Sequence, residues 1–280
     1  MTIDDRGFNY VRQLVRDRAA IVLEDGKQYL VDSRLSLLAR REGYNSAQDV
    51  IDRLRAAPGG PLQRKVIEAM TTTETLFFRD GKPYDALRNA ILPELIRLRG
   101  GERKLQIWSC ACSSGQEPYS VGMLLREHFA QLASWDVRIV ATDISTEMLD
   151  RCRAGRYSQL EVNRGLPPAF LARYFEKLPD RSGERVAGHD WQIKLELRRM
   201  IELRELNLAS AWTMAPTDLV MLRNVLIYFD IETKRQILTR IRKVLRPGGY
   251  LMLGTAETTM NLVDGFEPVR SDGTSYYRCT

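Results

Sequence analysis

Three short stretches of the sequence place side chains that could do chemistry directly after predicted strands. Glu117 follows the small-residue loop of "LQIWSCACSSGQEPYS", and Asp143 ends the strand "VRIVATD". A third strand leads into "LRNVLIYFD", which carries Arg223, Asn224 and Tyr228. These last three residues place a cation, an amide and a phenol near the reacting centre, and none of the three is an evident nucleophile or strong base. The alternative is that they are loop hydrogen-bonding residues, with Tyr228 partly in the core.

The first of these loops indicates what kind of ligand would bind. Ser113, Ser114 and Gly115 are small enough to keep the backbone accessible, but the GxGxxG spacing of dinucleotide sites is absent. A diphosphate would be repelled by the Glu117 carboxylate, whereas a cationic ligand would be attracted, unless Glu117 only complements the helix dipole. Asp143 could accept hydrogen bonds from ribose hydroxyls, or serve as a helix N-cap. Together these residues favour a cationic nucleoside without phosphate, and S-adenosylmethionine is the obvious candidate.

Alternating strands and helices must position these loops. From Leu92 onward, strand candidates such as "KLQIWSCA" alternate with helix candidates such as "EPYSVGMLLREHF". This order predicts a mostly parallel sheet covered by helices on both faces, with ligands bound beyond the carboxyl ends of the strands. The stretch around Trp191 and Ile193 alternates instead, which predicts short antiparallel strands inserted at about 185–205. The loops expected to line one crevice are 109–117, 143–145, 207–208 and 223–228.

The first seventy or so residues predict a small helical module. "DSRLSLLARREGY" places leucines beside Arg34, Arg40 and Arg41, and the next helix opens with a capping box from Ser46 to Asp49. The threonine run and aromatic pair of "TTTETLFFRD" suit an ordered connection between this module and the sheet.

Composition excludes several other classes of protein. The net charge of +6 and pI near 9.2 would suit nucleic acid, but no basic tail or arginine–aromatic platform accompanies them. Four cysteines and two histidines show no metal-binding or disulfide spacing. No long apolar run or signal peptide is present, so we expect a cytoplasmic protein without a bound metal.

Six motifs, in this order and spacing, resemble the chemotaxis receptor glutamate O-methyltransferases, the CheR-type family. They are "TTTETLFFRD", "SSGQEPYS", "ATDIS", "LNL", "LRNVLIYFD" and "LRPGGYLMLGTAE". The resemblance implies an α/β fold, a Rossmann-like class I methyltransferase domain with a small antiparallel β insert, preceded by a small all-helical domain. The implied ranges are a docking domain at 1–75, a connection at 76–91 and the S-adenosylmethionine-binding domain at 92–280, with the insert at about 185–205.

The resemblance also implies which residues line the cofactor. The threonine-rich stretch folds over the cofactor in this family, which carries onto Thr73, Thr75 and Arg79, although Thr73 stands where the family often has Asn. The other implied cofactor-binding residues are Glu117, Asp143, Asn207, Leu208, Arg223 and Asn224.

The implied reaction transfers the sulfonium methyl to a receptor glutamate, giving a methyl ester and S-adenosylhomocysteine. Tyr228 matches the tyrosine beside the transferred methyl, and an arginine before the first strand is expected there, a position that Arg97 and Arg99 both fit. A glutamate with a pKa of about 4.3 is already ionised at neutral pH, so the reaction requires no general base. The enzyme must instead supply alignment and partial desolvation of the carboxylate.

The expected partner is the cytoplasmic domain of methyl-accepting chemotaxis receptors. The acidic helices of that domain would attract Arg34, Arg40 and Arg41, and recruit a monomeric protein to membrane receptor arrays without membrane insertion. The main alternative is a nucleic-acid methyltransferase with the same cofactor fold, for which "MLRNVLIYF" lacks the Pro-Pro-aromatic motif of amino methylation. A non-catalytic module that senses the cofactor is a third reading.

Overall fold

A computed structural model of the chain describes residues 3–179, 191–271 and 273–280. The chain divides into two compact units, which we call the helical unit and the sheet unit. The helical unit comprises Met1–Thr72, Asn207–Ala211 and Tyr228–Lys234, and the sheet unit comprises Thr73–Leu206, Trp212–Ile227 and Arg235–Thr280.

The helical unit is built around four amphipathic helices. They are α1 (Asp5–Ala19), α2 (Gln28–Glu42), α3 (Ala47–Ala56) and α4 (Gly60–Met70). Half of the predicted capping box of α3 is present, because the Ser46 hydroxyl accepts a hydrogen bond from the Asp49 amide at 3.1 Å. The Asp49 carboxylate accepts from the Asn45 amide instead of the Ser46 amide. The apolar faces meet in a core that includes Phe8, Leu35 and Ile51, all buried. Burial of these faces, rather than helix propensity, provides most of the stability of such short helices.

In its described residues, the sheet unit contains ten strands and eight further helices. The strands are β1 (Lys104–Cys110), β2 (Asp136–Asp143), β3 (Arg156–Tyr157), β4 (Phe175–Lys177), β5 (Trp191–Ile193), β6 (Ile201–Glu205), β7 (Thr217–Leu222), β8 (Leu245–Leu253), β9 (Phe266–Ser271) and β10 (Thr274–Cys279). The helices are α5 (Lys82–Ala86), α6 (Leu92–Arg99), α7 (Gln116–His128), α8 (Thr146–Ala154), α9 (Gln159–Asn163), α10 (Pro168–Tyr174), α11 (Leu195–Arg198) and α12 (Ile231–Val244), of which α12 begins in the helical unit. A π-helical turn spans Leu87–Ile91, and 3₁₀ turns span Ala130–Ser134 and Leu226–Tyr228.

Seven of the strands form one sheet in the order β6-β2-β1-β7-β8-β10-β9. The first five run parallel, and β10 and β9 close the sheet as an antiparallel hairpin. Every residue of β7 is buried, as expected for a parallel strand covered on both faces. The chain leaves β1 toward β2 on one side and reaches β7 on the other, so a topological switch point lies between β1 and β7. Ligands of open α/β sheets bind outside the carboxyl ends of the strands at such a point.

The antiparallel insert differs from the predicted range of 185–205. It is a three-stranded sheet of order β3-β5-β4, and two of its strands come from earlier in the chain. Residues 185–190 of the predicted range lie outside the described residues. Leu195–Arg198 is helical, and β6 pairs in parallel with β2 of the main sheet. The alternating pattern there marks one short insert strand and then an edge strand of the main sheet.

The predicted connection at 76–91 is part of the sheet unit, which begins at Thr73. Phe77, Leu87 and Ile91 are buried in the cores of the sheet unit. Leu87 and Ile91 belong to the π-helical turn, which joins α5 and α6 into one continuous helical segment. In the described part of the chain, no helix is both long and apolar enough to span a membrane.

Candidate functional site

The predicted chemistry-bearing residues of the sheet unit collect at one edge of the main sheet. Asp143 is the last residue of β2, Arg223 directly follows β7, and Glu117 lies in the first turn of α7, just after β1. These are the carboxyl ends of three adjacent parallel strands. We call this side of the sheet the carboxyl edge and the opposite side the amino edge.

Arg223 is the centre of a buried charge cluster at the carboxyl edge. Its side chain is 1% exposed, and its guanidinium donates to Glu117 Oε2 at 3.3 Å and to Asp80 Oδ2 at 2.7 Å. Nη2 also donates to the Arg79 carbonyl at 3.0 Å. The ring of Tyr84 lies 5.8 Å from the guanidinium carbon, a distance at which a cation–π attraction contributes. Arg223 therefore holds two carboxylates and the backbone of the threonine-rich stretch together.

Opposing influences act on the charge of the Glu117 carboxylate. Burial raises the pKa of Glu117 above its ordinary value, and the neighbouring Arg223 guanidinium and the Ser109 hydroxyl, which donates at 2.8 Å, oppose that shift. The Glu117 side chain retains 12% exposure. A cation that binds beside it would further favour the ionised form.

Asp143 organises the loop after β1 instead of capping a helix. Its two carboxylate oxygens accept hydrogen bonds from the Ser113 amide at 2.8 Å and the Ser145 amide at 2.9 Å. The N-cap of α8 is Ser145, whose hydroxyl accepts from the Met148 amide. Asp143 is therefore not itself the N-cap of α8.

The loop after β1 uses its amides internally. The Cys112 amide donates to the Thr142 carbonyl at 2.9 Å, and the Gly115 amide donates to the Cys112 carbonyl at 3.0 Å. With the Ser113 amide bound to Asp143, few donors remain to cradle a phosphate. This geometry agrees with the prediction that the site does not bind a diphosphate.

Gly115 has a different reason to be glycine from the one predicted. Its φ of 97° lies in the left-handed region, and a Cβ there would stand 2.3 Å from Cys152 Sγ. Ser113 and Ser114 are also buried. The small residues thus allow close packing of the loop against α8, and do not simply leave the backbone open to a ligand.

The threonine-rich stretch, residues 73–80, lies across the carboxyl ends of β1 and β7. The Thr73 carbonyl accepts from the Ser113 hydroxyl at 2.6 Å, and the Phe78 amide donates to the Ser120 hydroxyl at 2.9 Å. Thr75 and Arg79 are half-buried. The predicted cofactor residues Thr73, Thr75 and Arg79 are therefore brought to the same edge as Glu117.

Phe77 fastens this stretch to the antiparallel insert. It is fully buried and makes edge-to-face contacts with Tyr157 at 5.0 Å and Phe175 at 5.6 Å between ring centres. A Cβ on Gly165 would lie 2.1 Å from the Phe77 carbonyl oxygen, so only glycine allows the loop after α9 to approach the Phe77 backbone. The insert thereby supports the segment that crosses the carboxyl edge.

Glu257 is a residue of the site that the sequence analysis did not single out. Its Oε2 accepts from the amides of Asn224 at 2.8 Å and Gly254 at 2.6 Å, and its Oε1 accepts from Val225 at 2.8 Å and Leu226 at 2.7 Å. Asn224 has a φ of 59°, a conformation that asparagine tolerates better than most residues. Glu257 therefore fixes the loop that leads directly to Tyr228. The signal available in the sequence was its place at the end of the motif "LRPGGYLMLGTAE".

Three of the predicted cofactor-binding and catalytic residues belong to the helical unit. Asn207 donates from Nδ2 to the Arg18 carbonyl at 2.6 Å, and Leu208 is buried. The Tyr228 carbonyl accepts from the Val22 amide at 2.9 Å. All three follow strands of the main sheet along the chain, since β6 ends at Glu205 and β7 at Leu222.

Neither arginine predicted to precede the first strand is at the carboxyl edge. Arg97 has a side chain that is 68% exposed and donates twice to Glu94 at 2.8 Å. Arg99 is buried against Asp218, which is the second residue of β7 and lies at the amino edge. The seven residues of β1, at about 3.3 Å each, separate the two edges by roughly 20 Å. The structure therefore corrects the placement of Arg97 beside a transferred methyl.

The three predicted docking arginines on α2 differ in exposure. Arg34 is half-buried and donates to the Met70 carbonyl at 2.7 Å and the Thr72 hydroxyl at 3.1 Å, so its contacts are within the helical unit. Burial lowers the pKa of Arg34, while the nearby Tyr228 opposes that shift. Arg40 and Arg41 lie in the last turn of α2 and are exposed. Only these two retain the surface position that the docking prediction requires.

The cysteines and acidic residues of the described chain form no metal centre. All four cysteines are free and buried, and burial raises the pKa of Cys110 well above its ordinary value, which keeps this thiol unreactive. Within residues 3–179, 191–271 and 273–280, no group of three or more His, Cys, Asp or Glu side chains could hold a metal ion.

Comparison with known proteins connects this geometry to a family. The family described as "CheR methyltransferase, all-alpha domain" matches residues 6–71, and "CheR methyltransferase, SAM binding domain" matches residues 73–274.

Curated relatives match nearly the whole chain. Chemotaxis protein methyltransferase 1 of Pseudomonas aeruginosa is 43% identical over 284 residues, which cover 99% of each chain. Chemotaxis protein methyltransferase Cher2 of Pseudomonas putida is 41% identical and covers 96% of each chain. The chemotaxis protein methyltransferase of Vibrio parahaemolyticus is 38% identical over 99% of this chain and 98% of its own length. As the motifs predicted, the chain belongs to the CheR methyltransferase family.

Proposed function

We propose that this chain transfers the methyl group of S-adenosylmethionine to glutamate side chains of chemotaxis receptors. Membership of the family makes the chain an S-adenosylmethionine-dependent methyltransferase that acts in chemotaxis, and the nucleic-acid alternative is not favoured. The observation that carries the proposal is the pair of carboxylates, Glu117 and Asp143, at the carboxyl ends of adjacent strands and beside a loop whose amides are already used.

The residues at the carboxyl edge fit this cofactor. Glu117, partly exposed, would face the ammonium group of the methionine moiety, and Asp143 would accept from the ribose hydroxyls. Thr73, Thr75, Arg223 and Asn224 would line the remaining surface. For Asn207 and Leu208, the family resemblance implies contact with the adenine. When bound, the cofactor supplies a methyl group made electrophilic by a positively charged sulfur.

The acceptor needs to be oriented, not deprotonated. A receptor glutamate is ionised at neutral pH, because its ordinary pKa is about 4.3. Alignment of two bound reactants can contribute up to roughly 7–11 kcal/mol to lowering the barrier. Glu257 fixes the loop that directly precedes Tyr228. Tyr228 would donate to the acceptor carboxylate and hold it in line.

Arg79 takes the role that the sequence analysis gave to Arg97. Its guanidinium donates to the Glu74 carbonyl at 3.2 Å, and its charge acts on Glu117. Arg223, which also lies at this edge, is already paired with two carboxylates. Arg79 is therefore the cation at this edge best placed to orient an incoming acceptor carboxylate.

Docking on the receptor would use the exposed end of α2. Arg40 and Arg41 can meet an acidic helix of the receptor, which would recruit a monomeric, cytoplasmic enzyme to membrane receptor arrays. Charge reversal in Arg40→Glu should weaken receptor methylation about threefold to tenfold at low salt and leave cofactor affinity unchanged. Equal receptor methylation by Arg40→Glu and the unmodified chain at low salt would remove α2 from the docking surface.

The proposed function is tested with labelled cofactor and receptor-containing membranes. We expect label in base-labile methyl esters on the receptor, released as methanol by alkali. Label in RNA, with none on the receptor, would support the nucleic-acid methyltransferase instead. Tight cofactor binding without turnover on any receptor would support a sensing module.

A further inference from the structure

A cavity opens at the carboxyl edge beside Arg223, over the strands β8 and β10. It has a volume of about 530 Å³, which is within the usual range for ligand pockets. Its floor is formed by the end of β8, at Leu253 and Gly254, and by Tyr277 of β10. Arg223, Glu257, Arg270, Thr274 and Ser275 also line it.

The antiparallel hairpin of β9 and β10 forms one wall of this cavity. Tyr277 pairs with Leu251 of β8, so the start of β10 at Thr274 lies at the same edge as the end of β8. Thr274 in turn pairs with Ser271 at the end of β9. The cavity thus shares Arg223 with the proposed cofactor site but extends from it over β8 and β10. An acceptor must approach the cofactor from a neighbouring space of this kind.

The charges around the cavity favour an anionic occupant. Arg270 is exposed and lines it, and Lys82 Nζ lies 2.9 Å from where a Cβ on Gly273 would stand. No carboxylate among the described residues pairs with Arg270 or Lys82. The Glu257 carboxylate also lines the cavity, but four backbone amides already donate to it.

The remaining polar groups suit a polypeptide. Hydroxyl groups of Thr255, Thr274 and Ser275 line the wall, and the Tyr277 hydroxyl donates to Thr258 at 3.2 Å. Such groups can both donate and accept, as the side chains and backbone of a peptide segment require. The volume of the cavity exceeds the size of one carboxylate and can accept several side chains.

We propose that this cavity binds an acidic segment of the acceptor polypeptide, next to the glutamate that is methylated, with Arg270 and Lys82 selecting for its negative charge. This inference rests on the proposed function, because it assigns the acceptor side of the same site. No residue of α2 lines this cavity, and of the residues assigned to the cofactor only Arg223 does.

The test compares kinetic constants for a receptor cytoplasmic fragment. In the double variant Arg270→Glu/Lys82→Glu, we expect the KM for the fragment to rise about tenfold or more at low salt, and the effect to shrink as salt screens the charges. The affinity for S-adenosylmethionine and the kcat should stay within about twofold of the unmodified values, since neither residue is assigned to the cofactor.

Two further variants make the result specific. Lys104→Glu/Lys177→Glu carries the same change of net charge on exposed residues outside the cavity, and its KM should remain unchanged. Ser275→Trp fills the cavity without a change of charge and should also raise the KM. An unchanged KM in both cavity variants, or an equal rise in the control, would overturn the cavity assignment alone. Failure of the unmodified chain to methylate the fragment would overturn the proposed function and this assignment with it.

Discussion

Two buried arginine–carboxylate clusters lie at opposite edges of the same sheet, and they have different structural settings. At the amino edge, Arg99 pairs with Asp218 at 2.7 Å, with side chains 10% and 1% exposed. The other oxygen of Asp218 accepts from the Gln106 amide at 2.9 Å. At the carboxyl edge, the Arg223 side chain is only 1% exposed, and it is the carboxylate partner, Glu117, that retains 12% exposure beside the loop after β1.

The difference is that one cluster is closed and the other borders open space. The amino-edge carboxylate ties β7 to β1 and to the end of α6, and its acceptors are used within the protein. The carboxyl-edge cluster lines a cavity through Arg223 and lies at the topological switch point. Burial and pairing alone therefore do not mark a functional site. The position of a cluster in the sheet topology decides between structure and function.

The largest expected effect is on stability at the amino edge. Asp218→Ala removes the partner of buried Arg99 and the acceptor of the Gln106 amide, so we expect the free energy of unfolding to fall by about 3–5 kcal/mol. Chemical denaturation measures this change. Cofactor affinity of the folded fraction should be unaffected, and a loss of affinity comparable to that of site variants would mean that the two edges are not functionally distinct.

Asp143→Ala should act on cofactor affinity at the carboxyl edge. The loss of charged hydrogen bonds to a ligand is worth about 1.5–3 kcal/mol, so the Kd for S-adenosylmethionine should rise by roughly 10-fold to 100-fold. Asp150→Ala, on the exposed face of α8, is the matched control and should leave the Kd unchanged. If both variants bind the cofactor equally well, Asp143 has only an organising role in the loop.

Glu257→Gln should separate positioning of the loop from cofactor binding. The amide oxygen can replace only one carboxylate oxygen, which leaves some of the four backbone donors unsatisfied, each at about 1–3 kcal/mol. We expect kcat to fall about tenfold or more as the loop before Tyr228 loosens, with a smaller change in cofactor Kd. Glu267→Gln, on the exposed face of β9, is the control. A fall in cofactor affinity with normal kcat would contradict the positioning role.

The smallest expected effect is a dependence of cofactor affinity on pH. Because burial raises the pKa of Glu117, the carboxylate is lost as pH falls through that raised value, and attraction for a cationic cofactor is lost with it. Affinity should therefore be constant at higher pH and weaken on the acidic side, above the ordinary pKa of about 4.3. Calorimetric titrations at several pH values measure this. Glu117→Gln, which has no carboxylate at this position, should bind more weakly and lack the dependence on pH. If Glu117→Gln keeps the pH profile of the unmodified chain, Glu117 does not contact the cofactor.

Much of the fold was predictable because its signals are local. The alternation of strands and helices, the Ser46 cap and the strand leading to Arg223, which is apolar from residue 219 to residue 222, each depend on a few neighbouring residues. The motifs also predicted the family and the cofactor, which the comparisons confirm. The antiparallel insert was misplaced because β3 and β4 have two and three residues, too few for a pattern.

The parts of the site that were missed depend on contacts distant in sequence. Arg97 and Arg99 precede β1 by a few residues, but only the direction of the strand shows that they lie at the amino edge. Glu257 reaches the Asn224 amide across 33 positions of the chain. No local pattern reports such a contact. The prediction for Arg34 was affected in the same way, because Met70 lies 36 residues away.

The most direct test of the difference between the two edges is the affinity for S-adenosylmethionine of two isosteric variants, Glu117→Gln at the carboxyl edge and Asp218→Asn at the amino edge. Each variant replaces one arginine-paired carboxylate by an amide of the same shape. Calorimetry at neutral pH should show a Kd increased by about tenfold or more for Glu117→Gln and within about twofold of the unmodified chain for Asp218→Asn. Equal affinities in the two variants, or a larger loss in Asp218→Asn, would mean that the two edges do not differ in cofactor binding.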